Sequence, residues 1–267
     1  MQVRKGDVVG RYSYSNDILF FVDKIIKVNK TEKIAILKGL NIRIEADAPV
    51  EDLRKFDAKK AEELIRGIEK KSYKQIANNH NNTLEYTGKI LHLDGDKRYS
   101  EKTARYYKKM GLNAVVRNIA ESKQPQMVVP LLSKYTPDIL IITGHDSMIK
   151  NGKNYLDIYN YRNSKHFINS VINARKWQNS SDKLVIFAGA CQSFYEAIME
   201  AGADFASSPG RILIDFIDPL IVAKVVATTD KNIYISAREI SKMVKEGEQG
   251  VSGIGARGKK KTYYRKM

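Results

Sequence analysis

The chain encodes a mostly parallel α/β sheet with helices on both faces, preceded by a small antiparallel β-barrel of SH3-like type. Three observations carry this expectation. The runs 89–93, 139–143 and 184–188 are almost continuously apolar, as strands buried on both faces are. They alternate with stretches of helical character, the pattern of a parallel sheet joined by crossover helices. The first 56 residues instead hold short β-type runs parted by Gly, Asn and Asp, which reads as hairpins.

Along the barrel, residues 1–56, the runs are Val8-Val9, Ile18–Val22, Ile25–Val28, Lys33–Lys38 and Ile42–Ile44. The opening Lys5-Gly-Asp-Val-Val9 followed by hairpin-like strands fits an SH3-like fold, serving either as a partner-binding module or as a structural appendage. Residues 57–80 form a helical linker. It is highly charged, with Leu64, Ile65 and Ile68 as a narrow apolar stripe. The polar break Asn78–Asn82 ends it, with His80 as a loop residue. Residues 81–255 form the main domain. Strand 89–93 leads into Asp94-Gly95-Asp96, then helix 100–110, strand 113–119 and helix 123–135. Strand 139–143, helix 164–177, strand 184–188 and helix 194–201 follow. The loop Ser207–Gly210, the run Ile212–Ile214 and an apolar helix Pro219–Thr228 complete it. Residues 256–267 read as a mobile basic tail.

Composition narrows the function. The 267 residues are 43% hydrophobic, enough for a large core. No run of 18 apolar residues exists, so no membrane-spanning helix is expected, and the N-terminus lacks the apolar region of a signal peptide. The net charge of +16 fits a nucleic-acid partner or a solvated lysine-rich surface. No nucleic-acid-binding motif accompanies it, so a nucleic-acid partner is not expected. A single cysteine excludes an internal disulfide and a cysteine-rich zinc site. The four histidines lack metal-ligand spacing, so no metal or cofactor is expected. A dinucleotide fold would need Gly-x-Gly-x-x-Gly where Asp94-Gly95-Asp96 stands, and no Walker motif occurs.

The one cysteine, Cys191, follows strand 184–188 after Gly189 and Ala190. The histidine His145, 46 residues upstream, follows strand 139–143 after Gly144. Adjacent parallel strands would deliver thiol and imidazole to one sheet edge, where sites form in such folds. That is what a Cys-His nucleophilic pair needs. The bland alternative is a small buried cysteine and a loop histidine; in that case the chain is a non-catalytic binding protein acting through barrel and basic surface. The thiolate would be favoured by the imidazolium and by a helix starting just after Cys191. Backbone N–H groups of Gly144 or Asp146, and of Cys191, are the oxyanion candidates. Asp146 either orients His145 or caps the next segment. Asp94 and Asp96 either bind a cation such as calcium, line an acidic pocket or form a turn. His92 and His166 read as structural.

The blocks Ile139–Asp146 and Leu184–Cys191 resemble the shared pattern of the caspase, gingipain and legumain group of cysteine peptidases. That resemblance implies a caspase-like fold and a Cys191–His145 dyad. The chain departs from it in carrying Asp146 where many relatives have glycine. Through Leu91–Asp96, Thr143–Ser147, Ala188–Ser193 and Ala206–Arg211 it also resembles a family of sporulation-specific proteases of spore-forming Firmicutes. This second resemblance implies processing of spore-coat or germination proteins in the sporulating cell's cytoplasm or at the forming coat, with cleavage at arginine. A basic P1 side chain needs a carboxylate; Asp94, Asp96, Asp204, Asp215 and Asp218 are the candidates. Arg257 and Arg265 make self-cleavage an expectation as well.

Overall fold

The computed structural model describes residues 2–29, 31–77, 86–149 and 154–261. His80, the break around it and residues 262–267, with Arg265, lie outside them. The chain divides into two compact units, Met1–Ile76 and Ala77–Met267.

The first unit is an antiparallel sheet of β1 (Val8–Arg11), β2 (Phe20–Lys27), β3 (Lys33–Gly39), β4 (Glu45–Pro49) and β5 (Leu53–Lys55), in the order β4-β3-β2-β1-β5. The two runs expected at 18–22 and 25–28 are one strand, β2, interrupted by a register shift between Val22 and Lys24. The run at 42–44 is not a strand of its own; β4 begins one residue later. As an edge strand with one buried residue it needs little apolar sequence and tolerates Pro49. Val9, Phe20, Val22, Ala35 and Leu37 form its core. Helix α1 (Ala58–Ala77) belongs to this unit: Ala61, Ile65 and Ile68 cluster with Val8, Leu40 and Phe56.

The second unit is a mixed sheet in the order β12-β10-β9-β8-β6-β7. Strands β6 (Ile90–Asp94), β7 (Ala114–Asn118), β8 (Ile139–Thr143), β9 (Val185–Ala188) and β10 (Phe205–Ser207) run parallel, and β12 (Val251–Gly253) is antiparallel to β10. Alternation along the strands divides the core. Leu91, Leu93, Leu140, Ile142, Ile186 and Ala188 pack with α3 (Gln124–Tyr135), α4 (Ser164–Trp177) and α5 (Tyr195–Glu200). On the other face α2 (Lys97–Lys109) contacts β6 and β7, and α6 (Asp218–Thr228) contacts β8 and β9. His92, expected to be structural, points its Nδ1 at Tyr107 Oη, 2.9 Å away on α2.

The small elements β11 (Tyr234–Ile235), α7 (Ala237–Ser241), α8 (Gly247–Gly250) and β13 (Ala256–Arg257) complete the unit. They correct the expectation of a free tail from residue 256. β13 pairs with β11. The N–H groups of Lys259, Lys260 and Lys261 donate to Val226, Thr229 and Tyr86 carbonyls. The Lys259 ammonium is nearly buried and donates to the carbonyls of Ser181 and Asp182 at 3.0 and 2.8 Å. A basic sequence concealed a docked segment whose backbone N–H groups are bonded and whose Lys259 ammonium caps carbonyls.

Candidate active site

At the carboxyl edge β8 and β9 are in register, with Ile142 opposite Ala188. His145 and Cys191 each follow three residues beyond this pair, in the loops that leave the same edge of the sheet. Neighbouring strands lie about 4.8 Å apart, and Thr143 Oγ1 ties the edges by donating to the Gly189 carbonyl at 2.7 Å. Gly189 then turns the chain with φ +110°; a Cβ there would meet Ser207 Oγ at 2.4 Å. Gln192, immediately after Cys191, is also left-handed, at φ +53°.

Cys191 is fully buried. Its Sγ accepts the Ile214 N–H at 3.2 Å and lies 3.6 Å from the Ile214 carbonyl. The segment 212–217 therefore lies against the thiol. Its Ile212 carbonyl receives the Gln192 N–H at 3.1 Å and Ser208 Oγ at 2.8 Å. The expected helix dipole at Cys191 is not there. α5 starts at Tyr195 and is six residues long, so the thiol lies outside the first turn, where a dipole acts.

His145 is fully buried too. Its Nδ1 is 3.9 Å from Asp96 Oδ2, and its ring stacks on Tyr99, with centroids 5.3 Å apart and planes at 15°. Tyr99 stacks in turn on Phe216 at 5.4 Å. The backbone is pinned on both sides: the His145 N–H donates to Glu121 Oε1 at 2.8 Å, and its carbonyl accepts Asn163 Nδ2 at 2.9 Å. Glu121 fills the crevice between the diverging β6 and β8, the switch point where such sheets place their sites. A Cβ on Gly95 or Gly144 would fall 2.0 or 2.3 Å from its Oε1. Gly144 thus makes room for this carboxylate.

Asp146 is wholly buried, and its carboxyl ties three segments together. Its Oδ1 accepts the N–H of Ser147 at 2.9 Å and of Asn163 at 2.8 Å. Its Oδ2 accepts the hydroxyls of Ser193, at 2.9 Å, and of Ser164. The loop after β8, the start of α4 and the loop after Cys191 converge on one carboxyl group. Burial pushes that carboxyl up to about 7, against the pull of these hydrogen bonds.

The other carboxylates separate. Asp94 and Asp96 share the edge with His145. Asp94 Oδ1 accepts the Asp96 N–H at 2.9 Å, and Asp94 Oδ2 is 3.7 Å from His92 Nε2. Asp215 and Asp218 flank the start of α6. The Asp215 N–H donates to Asp218 Oδ2 at 3.1 Å, and Asp215 directly follows the Ile214 that touches the thiol. Asp204 does not join this group. It precedes β10 at the opposite, amino-terminal edge, where it accepts the Ile186 N–H at 2.6 Å and pairs with Arg175 at 2.7 Å. His166 is on α4, as expected, with burial lowering its pKa. Among the described residues no cluster of three or more His, Cys, Asp or Glu could hold a metal ion.

Sequence reasoning missed Tyr99, Glu121, Ser164, Ser193 and Phe216. Ser193 had a local signal, two residues past the cysteine, and Tyr99 lies three past Asp96. Glu121, Ser164 and Phe216 come from distant segments and had none.

A family model described as YabG peptidase U57 matches residues 4–265. The chain is 37% identical to the sporulation-specific protease YabG of Bacillus subtilis (strain 168), over 97% of this chain and 96% of that protein. No solved structure matches.

Proposed function

The chain belongs to the YabG peptidase family, and from that premise we propose that it is a cysteine endopeptidase of sporulation in which Cys191 is the nucleophile and His145 its acid–base partner. The observation that carries the reading is that β8 and β9 are parallel neighbours paired at Ile142 and Ala188, and that His145 and Cys191 each follow three residues later.

In this reaction the imidazole takes the thiol proton and the thiolate adds to the scissile carbonyl carbon. An S–C bond forms and the carbonyl π electrons move to oxygen. With the His145 N–H held by Glu121, the N–H groups of Gly144, Asp146 and Cys191 are those assigned to the oxyanion. Collapse breaks the C–N bond, and the imidazolium gives its proton to the departing amine. Water then attacks the thioester with His145 taking its proton, the S–C bond breaks, and carboxylic acid and thiol are released. Both groups are buried in this structure, so segment 212–217 must yield for a peptide to reach the sulfur.

The substrates assigned are proteins of the spore coat or of germination, cut after arginine. Asp215 is the carboxylate assigned to the arginine, because it adjoins Ile214 and is only half-buried. The strand order supports a caspase-like arrangement for residues 81–255, and the antiparallel sheet supports an SH3-like barrel for 1–56. The helix expected at 57–80 is α1, which packs on the first unit, and 256–267 is the basic C-terminal segment.

The test is cleavage of arginine-containing peptides by wild type, Cys191→Ala and His145→Ala. Each variant should lose on the order of a thousandfold or more in kcat/KM while keeping the wild-type melt. Turnover by the Cys191→Ala protein at the wild-type rate would exclude the mechanism.

A further inference from the structure

The first turn of α2 meets the His145 ring twice. Asp96 is the N-cap of α2: its Oδ1 accepts the N–H of Arg98 at 2.7 Å and of Tyr99 at 3.1 Å. Its own N–H is held by Asp94 Oδ1 at 2.9 Å, and its carbonyl accepts Ser100 Oγ at 2.7 Å. Backbone and first oxygen are therefore fixed by the helix start. Capping needs only one side-chain oxygen, which Ser, Thr or Asn supplies as well. The second oxygen of an aspartate is not required by the cap. Here it is the atom 3.9 Å from His145 Nδ1, with Asp96 6% and His145 0% exposed. Tyr99, three residues on, stacks on the face of the same ring.

We propose that Asp96 is a positioning residue for His145, its Oδ2 accepting the Nδ1–H and fixing the tautomer that leaves Nε2 to exchange protons with the thiol and the leaving amine. This rests on the reading of Cys191 and His145 as the reacting pair. The separation exceeds the roughly 2.7–3.2 Å of a formed hydrogen bond, and catalytic hydrogen bonds in ligand-free enzymes often tighten only with substrate. The carboxylate would also stabilise the imidazolium that balances the thiolate.

Charged groups on the neighbouring elements have engagements of their own. Asp94, at the end of β6, faces His92. Glu121, ahead of α3, holds the His145 N–H rather than the ring. Asp146 is committed to α4 and Ser193. From the α6 side, Asp218 holds the Asp215 N–H, and Lys102 on α2 lies over the Phe216 ring at 4.1 Å. Asp96 is placed at a ring nitrogen by a helix cap.

The experiment compares Asp96→Asn, which keeps shape and cap but removes the charge, with Asp96→Ser, which keeps the cap and withdraws the second oxygen. Kinetics in both should show kcat lower by about tenfold to a hundredfold with KM nearly unchanged. The alkaline limb of the pH profile, which reports loss of the imidazolium proton, should move about one unit toward lower pH. The same substitutions in a Cys191→Ala background should lower the NMR titration midpoint of His145. Should Asp96→Asn melt early, Asp96→Ser supplies both readings. An unmoved alkaline limb and midpoint would overturn the proposal, whatever happens to kcat, because a cap with only a structural role leaves both in place. Full activity of Cys191→Ala would instead sink the underlying reading.

Discussion

Asp146 shows how one buried group ties together the loops that carry the two residues of the proposed pair. Its carboxyl receives N–H or O–H groups from Ser147, Asn163, Ser164 and Ser193, so the loops carrying His145 and Cys191 share an anchor. Burial raises it from 3.8 to about 7. Between about pH 4 and 7 the folded protein then holds a proton that the unfolded chain has released. Stability should fall as pH rises through that window, by a few kcal/mol on an order-of-magnitude reckoning. Asp146→Asn should flatten this slope, and urea unfolding of both proteins at about pH 5 and about pH 8 measures it. Equal slopes would show that the group is not titrating between those limits.

Two segments between the regular elements hold the site in its present form. The turn before α3 carries Glu121 into the crevice beside Gly95 and Gly144. A Gly144→Ala Cβ would land 2.3 Å from Glu121 Oε1 and 2.8 Å from Cδ. It should cost about 1–3 kcal/mol of stability and free the His145 N–H, lowering kcat. In a Glu121→Ala background the same substitution should cost less, and a double-mutant cycle reads that coupling. The second segment, 212–217, covers the thiol with Ile214 and seats Phe216 on Tyr99. Alkylation of Cys191 should therefore be slower in the native protein than in the denatured chain. Phe216→Ala should raise its rate about tenfold by favouring local opening. Mass spectrometry of iodoacetamide-treated protein, well below the melt, follows the single cysteine. Equal rates in native and denatured protein would mean that the segment does not restrict access.

Each of the two units of the chain has an apolar core of its own. Leu37, fully buried in the first, packs with Val9, Phe20, Val22 and Ala35; the second is built on β6, β8 and β9 with α3 and α4. Leu37→Ala should destabilise the first unit by about 2–5 kcal/mol. Peptide cleavage measured below its transition should keep the wild-type kcat, because no residue of the proposed machinery belongs to that core. A matching loss of kcat in folded protein would show that the two cores are coupled. Among the described residues no helix is long and apolar enough to cross a membrane.

Apolar runs and their alternation sufficed to mark β6, β8 and β9, because a strand buried on both faces cannot carry many polar residues. Helix α4 was legible to its end residues for a similar reason: one face is apolar and the break at each end is polar. His145 and Cys191 stood out because both follow such strands, and parallel neighbours bring equal offsets to one edge. Strand β4 was misplaced because an edge strand is only half-buried, and the docked residues 256–261 were hidden by a basic sequence in which Lys259 binds carbonyls. The five candidate carboxylates were alike in sequence, since an aspartate near a turn reads the same whether it caps a helix, pairs with an arginine or faces an imidazole. Folding separated them: Asp204 went to Arg175 at the far edge, Asp215 and Asp218 to the start of α6, and Asp94 and Asp96 to the turn between β6 and α2, with Asp96 beside His145. Such assignments depend on which distant segments meet, as Glu121, Ser164 and Phe216 do at this edge. Local pattern encodes burial and period, whereas partnership is set by the three-dimensional path of the chain.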